Sequence, residues 1–208
     1  MLFPTAYFGP IFQYALLVDQ RKFEIDGKEH FVKQSYRSRC EIYGANGKLK
    51  LIVPLQKWNN HSPTETIRVS YDENWPLLHW RSIMSAYRSS PYFEFYEDDL
   101  KPFFDEKFDS LLSLNYAAET RIWNLLNIHC IGDFSESFEP LKANDPRKII
   151  HPNNSTLLEN IEFPEYTQVF SDKFGFIKNL SILDLLFNLG PNSYNYLKNI
   201  AAQYGKEN

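Results

Sequence analysis

Residues 40–55, "CEIYGANGKLKLIVPL", constrain the fold more than any other stretch of this chain. Two runs with strand character flank Asn46-Gly47, a dipeptide that accepts the positive φ angles of a tight hairpin turn. Leu49, Leu51 and Val53 alternate with Lys48, Lys50 and Ile52, so one side of the second strand packs and the other is mostly wetted. Pro54 has no N–H to donate and ends the ladder. "KFEID" (22–26), closed by Gly27, and the alternating "ETIRVSYD" (65–72) read as further strands. The first third is therefore expected to be rich in antiparallel sheet.

Beyond Asn74 the period changes. "PLLHWRSIMSAYRSS" (76–90) opens on a proline suited to a first helical turn and predicts a helix that ends before Pro91. A helix interrupted near Pro102 is expected in 92–108. In 108–128, Phe108, Leu111, Leu112, Ile122, Leu125 and Leu126 recur at helical steps. "LSILDLLFNLGP" predicts a short buried helix stopped at Gly190-Pro191, residues 192–205 a final helix, and 11–18 a brief early one. Residues 132–164, with Pro140, Pro146, Pro152 and Pro164, read as a long loop or flap holding at most a small ordered piece. Sheet first and helices later predicts an α+β fold, mostly antiparallel sheet from the N-terminal third packed with C-terminal helices, in a single domain spanning 1–208.

Composition narrows the function classes. Hydrophobic residues make up 43% and aromatics 16%, enough for a large core and against disorder. No run reaches the ~18 apolar residues of a membrane span, and the N-terminus lacks a basic leader, so a cytosolic protein is expected. Cys40 and Cys130 follow no metal or redox spacing and read as free, buried thiols. A net charge of −4 argues against nucleic acid as a partner. The charge is uneven, however. Residues 21–57 hold nine Lys and Arg against four acids, whereas 93–109 hold seven acids against two Lys.

The densest part of the basic region is "HFVKQSYRSRCEI" (30–42). Read as a strand, it puts Lys33, Arg37 and Arg39 on one face, a ladder ~13–20 Å long at ~3.3 Å per residue, with most packing residues on the other. A helix would turn Arg39 ~160° from Arg37 and scatter the apolar set. Such a ladder suits phosphate or carboxylate, because the planar arginine fork binds two oxygens at once. Pairing with Glu24, Asp26, Glu29 or Glu41 on neighbouring strands is the bland alternative. His30 is the natural general base, or an ordinary polar residue. Asp184 and Asn188 share one face of the apolar 182–189 helix. They are candidate ligand contacts, although Ser181-x-x-Asp184 also resembles a capping box. Tyr87 and Tyr92 line a ring-binding wall or simply pack in an aromatic core. No phosphate loop, HExxH, nucleophile elbow or CxxC is present, and the five histidines share no metal spacing, so neither metal nor cofactor is expected.

In the same order along the chain, "YFGPIFQY", "HFVKQSYRSRCEI", "GANGKLKLIVPL", "YRSSPYFEFY" and "LSILDLLFNLGP" resemble the WbqC-like family of bacterial O-antigen and related polysaccharide gene clusters. Many relatives have Asn where this chain has Ser38, and acidic residues where it has Gly27 and Lys28. The resemblance implies a transferase of surface-polysaccharide biosynthesis that moves a glycyl or other acyl group onto an amino sugar, with a nucleotide sugar or acyl donor as anionic substrate. Lys33, Arg37 and Arg39 would then hold phosphate, His30 would take the amine proton, and Tyr87 or Tyr92 would stack on a ring. A non-catalytic binding or scaffold protein of the same pathway is the alternative.

Overall fold

The computed structural model describes the chain apart from residues 1, 130, 143–144, 155–157, 160 and 208, and apart from the side chains of 131 and 205–207. Cys130 falls outside the described residues, whereas Cys40 is free and buried.

Two separate sheets form. β1 (Leu2–Pro4), β2 (Lys22–Asp26) and β5 (Ile131–Phe134) make a parallel sheet in the order β1-β2-β5, with Phe3 opposite Ile25 and Ile25 opposite Phe134. β3 (Arg39–Gly44) and β4 (Gly47–Ile52) form an antiparallel hairpin. The expectation of a mostly antiparallel sheet is thus overturned outside the hairpin. The reason is the connection between β1 and β2. It contains α1 (Ile11–Leu17), and a helical crossover returns the chain to the same end of the sheet, which makes the strands parallel.

"ETIRVSYD" forms no strand, although its alternation correctly marks Ile67 and Val69 as buried. Its backbone pairs piecemeal on two sides: Leu111 N–H donates to Ile67 O, and Gln56 N–H to Arg68 O, both at 2.9 Å. Alternation reports which side chains are buried, not which backbone satisfies the ladder. The hairpin turn is also one residue earlier than expected. Gly44 pairs with Gly47 around Ala45-Asn46, and only Gly47 (φ 95°) takes a positive φ, as the glycine of a bulged turn does.

The strand over 31–42 begins only at Arg39. Residues 33–38 are turns, with Gln34 left-handed (φ 55°) and Ser35 Oγ donating to Val32 O at 2.6 Å. Such local side-chain bonds offer the backbone an alternative to a ladder. Lys33, Arg37 and Arg39 therefore do not share a pleated face.

The remaining helices are α2 (Trp75–Tyr87), α3 (Phe93–Asp105), α4 (Leu111–Leu125), α5 (Pro146–Ile149), α6 (Ser171–Phe174), α7 (Ile182–Leu189) and α8 (Ser193–Glu207). α3 runs through Pro102 without interruption. The proline lies in the last turns of the helix, and the carbonyl it deprives belongs to exposed Asp98, where water can substitute. α7 is buried almost all round, and Phe187 packs on Tyr87 and Phe93, each with ring centroids 5.1 Å apart. Gly190 (φ 52°) stops it, and the Tyr92 ring lies so close that a Cβ there would fall 2.5 Å from it. Among the described residues no helix is long and apolar enough to cross a membrane.

Candidate functional site

Arg37 is 2% exposed and bound through both arms of its fork: Nε and Nη2 donate to the two carboxylate oxygens of Glu29 at 2.5 and 2.6 Å. It is tied up internally, as the ion-pair alternative anticipates. Arg39, two residues on, is 8% exposed, yet its buried Nε has no partner, and it makes no hydrogen bond or ion pair among the described residues. A buried guanidinium without a carboxylate is costly, so this residue stands out from its neighbours.

Beside Arg39 lies a cleft of about 340 Å³ lined by Tyr36, Glu41, Lys48, His151, Lys178 and Asn179, with Leu158 and Phe176 adding apolar surface. Four segments build it, and the turns before β3 supply Tyr36. The β3–β4 hairpin contributes Glu41 and Lys48, which form an ion pair at 2.9 Å. Residues 176–179 are held by Asn179 Oδ1, which accepts from Phe12 N–H (2.9 Å), and by Ser181 N–H, which donates to Glu41 O (2.8 Å). The stretch following α5 brings in His151 and Pro152. With Arg39, Lys48 and Lys178 set against Glu41, the surroundings are cationic.

His151 accepts from Asn153 N–H through Nδ1 at 3.2 Å, so the neutral ring carries its proton on Nε2. Burial and then the charges of Arg37 and Arg39 lower its pKa, which favours that neutral form. A neutral imidazole in this tautomer offers one N–H to a carbonyl or phosphoryl oxygen. Burial and Glu41 hold the Tyr36 phenol well above its ordinary range, with Arg39 opposing, so Tyr36 stays protonated.

The other predicted residues lie apart from this cleft. Lys33 is exposed, its ammonium 5.4 Å from the centre of the Trp58 ring. His30 is exposed and stacked on Phe138, and it does not line the cleft. Tyr87 is wholly buried, donating to Asp184 Oδ1 (3.0 Å) and accepting from Tyr43 N–H (3.0 Å). Tyr92 packs on Gly190, and its N–H donates to Phe187 O (3.0 Å). Asn188 turns back on its own helix, donating to Asp184 O at 2.8 Å. Asp184 is fully buried and does not cap α7. It accepts from Tyr166 OH (2.6 Å), Gln168 Nε2 (2.8 Å) and Tyr87, while Ser181 alone caps Leu183 N–H. Burial pushes its pKa up to about 6, against the pull of those three donors.

Sequence reasoning missed Tyr36, Glu41, Lys48, His151 and Lys178. The hairpin register, which sets Lys48 opposite Tyr43 and next to Glu41 on the diagonal, was a usable signal for two of them. Nothing local marks His151, which lies in the proline-rich stretch far from Arg39 in sequence.

Neither the curated proteins nor the solved structures offer a match to this chain. The family model described as the WbqC-like protein family matches residues 6–157 and 151–196, which together span most of the chain. The five ordered motifs and this match agree, and the chain belongs to the WbqC-like protein family.

Proposed function

We propose that this protein is a cytosolic transferase of surface-polysaccharide (O-antigen) assembly that binds an anionic substrate, a nucleotide sugar or an acyl donor, in the cleft beside Arg39. The observation that carries this reading is the buried Arg39, whose Nε has no partner among the described residues and whose charge acts on His151 and Tyr36 of the cleft. Family membership supports the pathway through the gene neighbourhoods that the resemblance implies. In this reading Arg39 and Lys178 neutralise phosphate or carboxylate, and Lys48 holds Glu41 in place. The Nε2–H of His151 polarises the carbonyl of the group being transferred, glycyl or another acyl, as an amino-sugar nitrogen attacks it. The new amide bond replaces the bond from that carbonyl to its donor, which leaves as thiolate or phosphate, and the amine proton passes to solvent. The exposed position of His30, outside the cleft, favours a second reading in which the protein binds such a molecule without transforming it.

Thermal shift against nucleotide sugars and acyl thioesters tests the site. Ligand at a hundredfold its Kd adds about 2.7 kcal/mol, a rise of several degrees in Tm. In Arg39→Met the free protein is expected to be as stable as wild type or more so, because an unpaired buried charge is gone, while the ligand-induced rise disappears. If no member of the panel stabilises the wild type, or if Arg39→Met keeps the full shift, the proposal fails. Turnover of the stabilising ligand pair separates the transferase from the binding protein.

A further inference from the structure

His30 and His61, 31 residues apart in sequence, meet on the surface with their Nδ1 atoms 3.4 Å apart and their ring planes at 71°. Both rings are exposed. The meeting is built by the backbone. Phe31 N–H donates to Ser62 O and Thr64 N–H to Glu29 O, both at 2.9 Å, and His30 bridges Pro63 in antiparallel fashion. Phe138 stacks on the outer face of His30 with centroids 5.7 Å apart and planes at 25°, which fixes that ring. His61 itself is left-handed (φ 64°), and the turn it makes brings its side chain to His30.

At 3.4 Å the two imidazole nitrogens make a long hydrogen bond at most, since N–H···acceptor distances cluster near ~2.9–3.0 Å. The same separation suits a shared metal ion. Two Zn–N arms of ~2.0–2.1 Å opened to the tetrahedral angle place the nitrogens ~3.4 Å apart. Imidazole nitrogen favours zinc, copper, nickel and cobalt over magnesium or calcium. Because no third His, Cys, Asp or Glu joins the pair among the described residues, water or a ligand oxygen would take the remaining positions.

We propose that His30 and His61 form a two-histidine site for a divalent transition metal of the zinc type, held through both Nδ1 atoms and open to solvent on its other side. The site is separate from the Arg39 cleft and does not depend on the function proposed for that cleft.

Calorimetric titration of the full chain, freed of metal, with ZnCl2 tests the proposal, with CoCl2 absorption reporting coordination geometry. One zinc per chain and a tetrahedral cobalt spectrum are expected. His30→Ala and His61→Asn are each expected to weaken binding by about tenfold or more, and Asn at 61 tolerates the left-handed backbone. His151→Ala should bind as wild type does. Absence of saturable binding at millimolar zinc overturns the proposal. So does zinc binding that survives in the folded His30→Ala and His61→Asn variants, because the metal would then reside elsewhere. Should His61→Asn fail to fold, His30→Ala and the cobalt spectrum of the wild type still decide.

Discussion

Charged side chains in this protein differ mainly in where their counter-charge comes from. Glu29 and Arg37 share two short hydrogen bonds in a site where neither is more than slightly exposed. Removing one partner of a buried pair leaves the other charge stranded, so Glu29→Gln is expected to cost about 3–5 kcal/mol in urea unfolding. The Lys28–Glu65 bridge is a single contact at 3.0 Å, and about a third of each side chain is exposed. Lys28→Ala is expected to cost less than about 1 kcal/mol, because water screens that pair. At this scale the sequence was informative about types and silent about partners. A carboxylate inside so apolar a helix had to be satisfied, which singled out Asp184. Its donors are Tyr87, Tyr166 and Gln168, and the spacing of residues within α7 carries no trace of them.

Among the helices, α4 shows most clearly how an apolar stripe can mark only part of a packing face. The stripe from Phe108 to Leu126 identified it, and Leu111, Ile122 and Leu126 of that stripe are buried, but the face that packs also carries Leu114, Asn115, Ala118, Glu119 and Trp123. Polar residues at 115 and 119 disguised that face. Burial pushes the Glu119 carboxyl up to about 8 from its ordinary 4.5, with a bond from Gln13 only partly offsetting. Below about pH 4.5 both folded and unfolded chains hold the proton and no penalty arises. As pH rises toward 8 the unfolded chain ionises more readily, so folding becomes progressively less favourable, by about 1.4 kcal/mol per unit of pKa difference. The Glu119 contribution to stability is therefore expected to fall between about pH 4.5 and 8, while His79, lowered by burial to about 4, acts in the opposite sense below its ordinary 6.5. Glu119→Gln should flatten that decline and be more stable than wild type at pH 8 by up to a few kcal/mol. Equal slopes of unfolding free energy against pH in the two proteins would refute this.

Over the whole molecule, one side chain ties the proline-rich stretch to the parallel sheet. Arg147, buried in α5, binds Asp145 through Nε and Nη2, reaches Asp26 at the end of β2 through Nη1 (2.5 Å), and donates to the carbonyls of Glu139 and Pro140. Asp26 in turn accepts from the N–H groups of Lys28 and Glu29 (2.9 Å each), next to the Glu29–Arg37 pair. In Arg147→Met, amide exchange and proteolysis should accelerate through 135–150, while the β3–β4 hairpin stays protected. Uniform acceleration everywhere would mean that Arg147 supports global stability instead. Sequence alone determined the hairpin, most helices and their stops, and the family, because turn chemistry, proline, glycine and apolar period act over a few residues. Only the tertiary structure decided the parallel pairing of β1, β2 and β5, the partners of Arg37 and Asp184, the placement of buried Arg39 near His151, and the meeting of His30 with His61. Each of these depends on where distant segments cross. Neutralising a buried charge or closing a ladder is a condition on neighbours in space, and the linear order of residues does not record it.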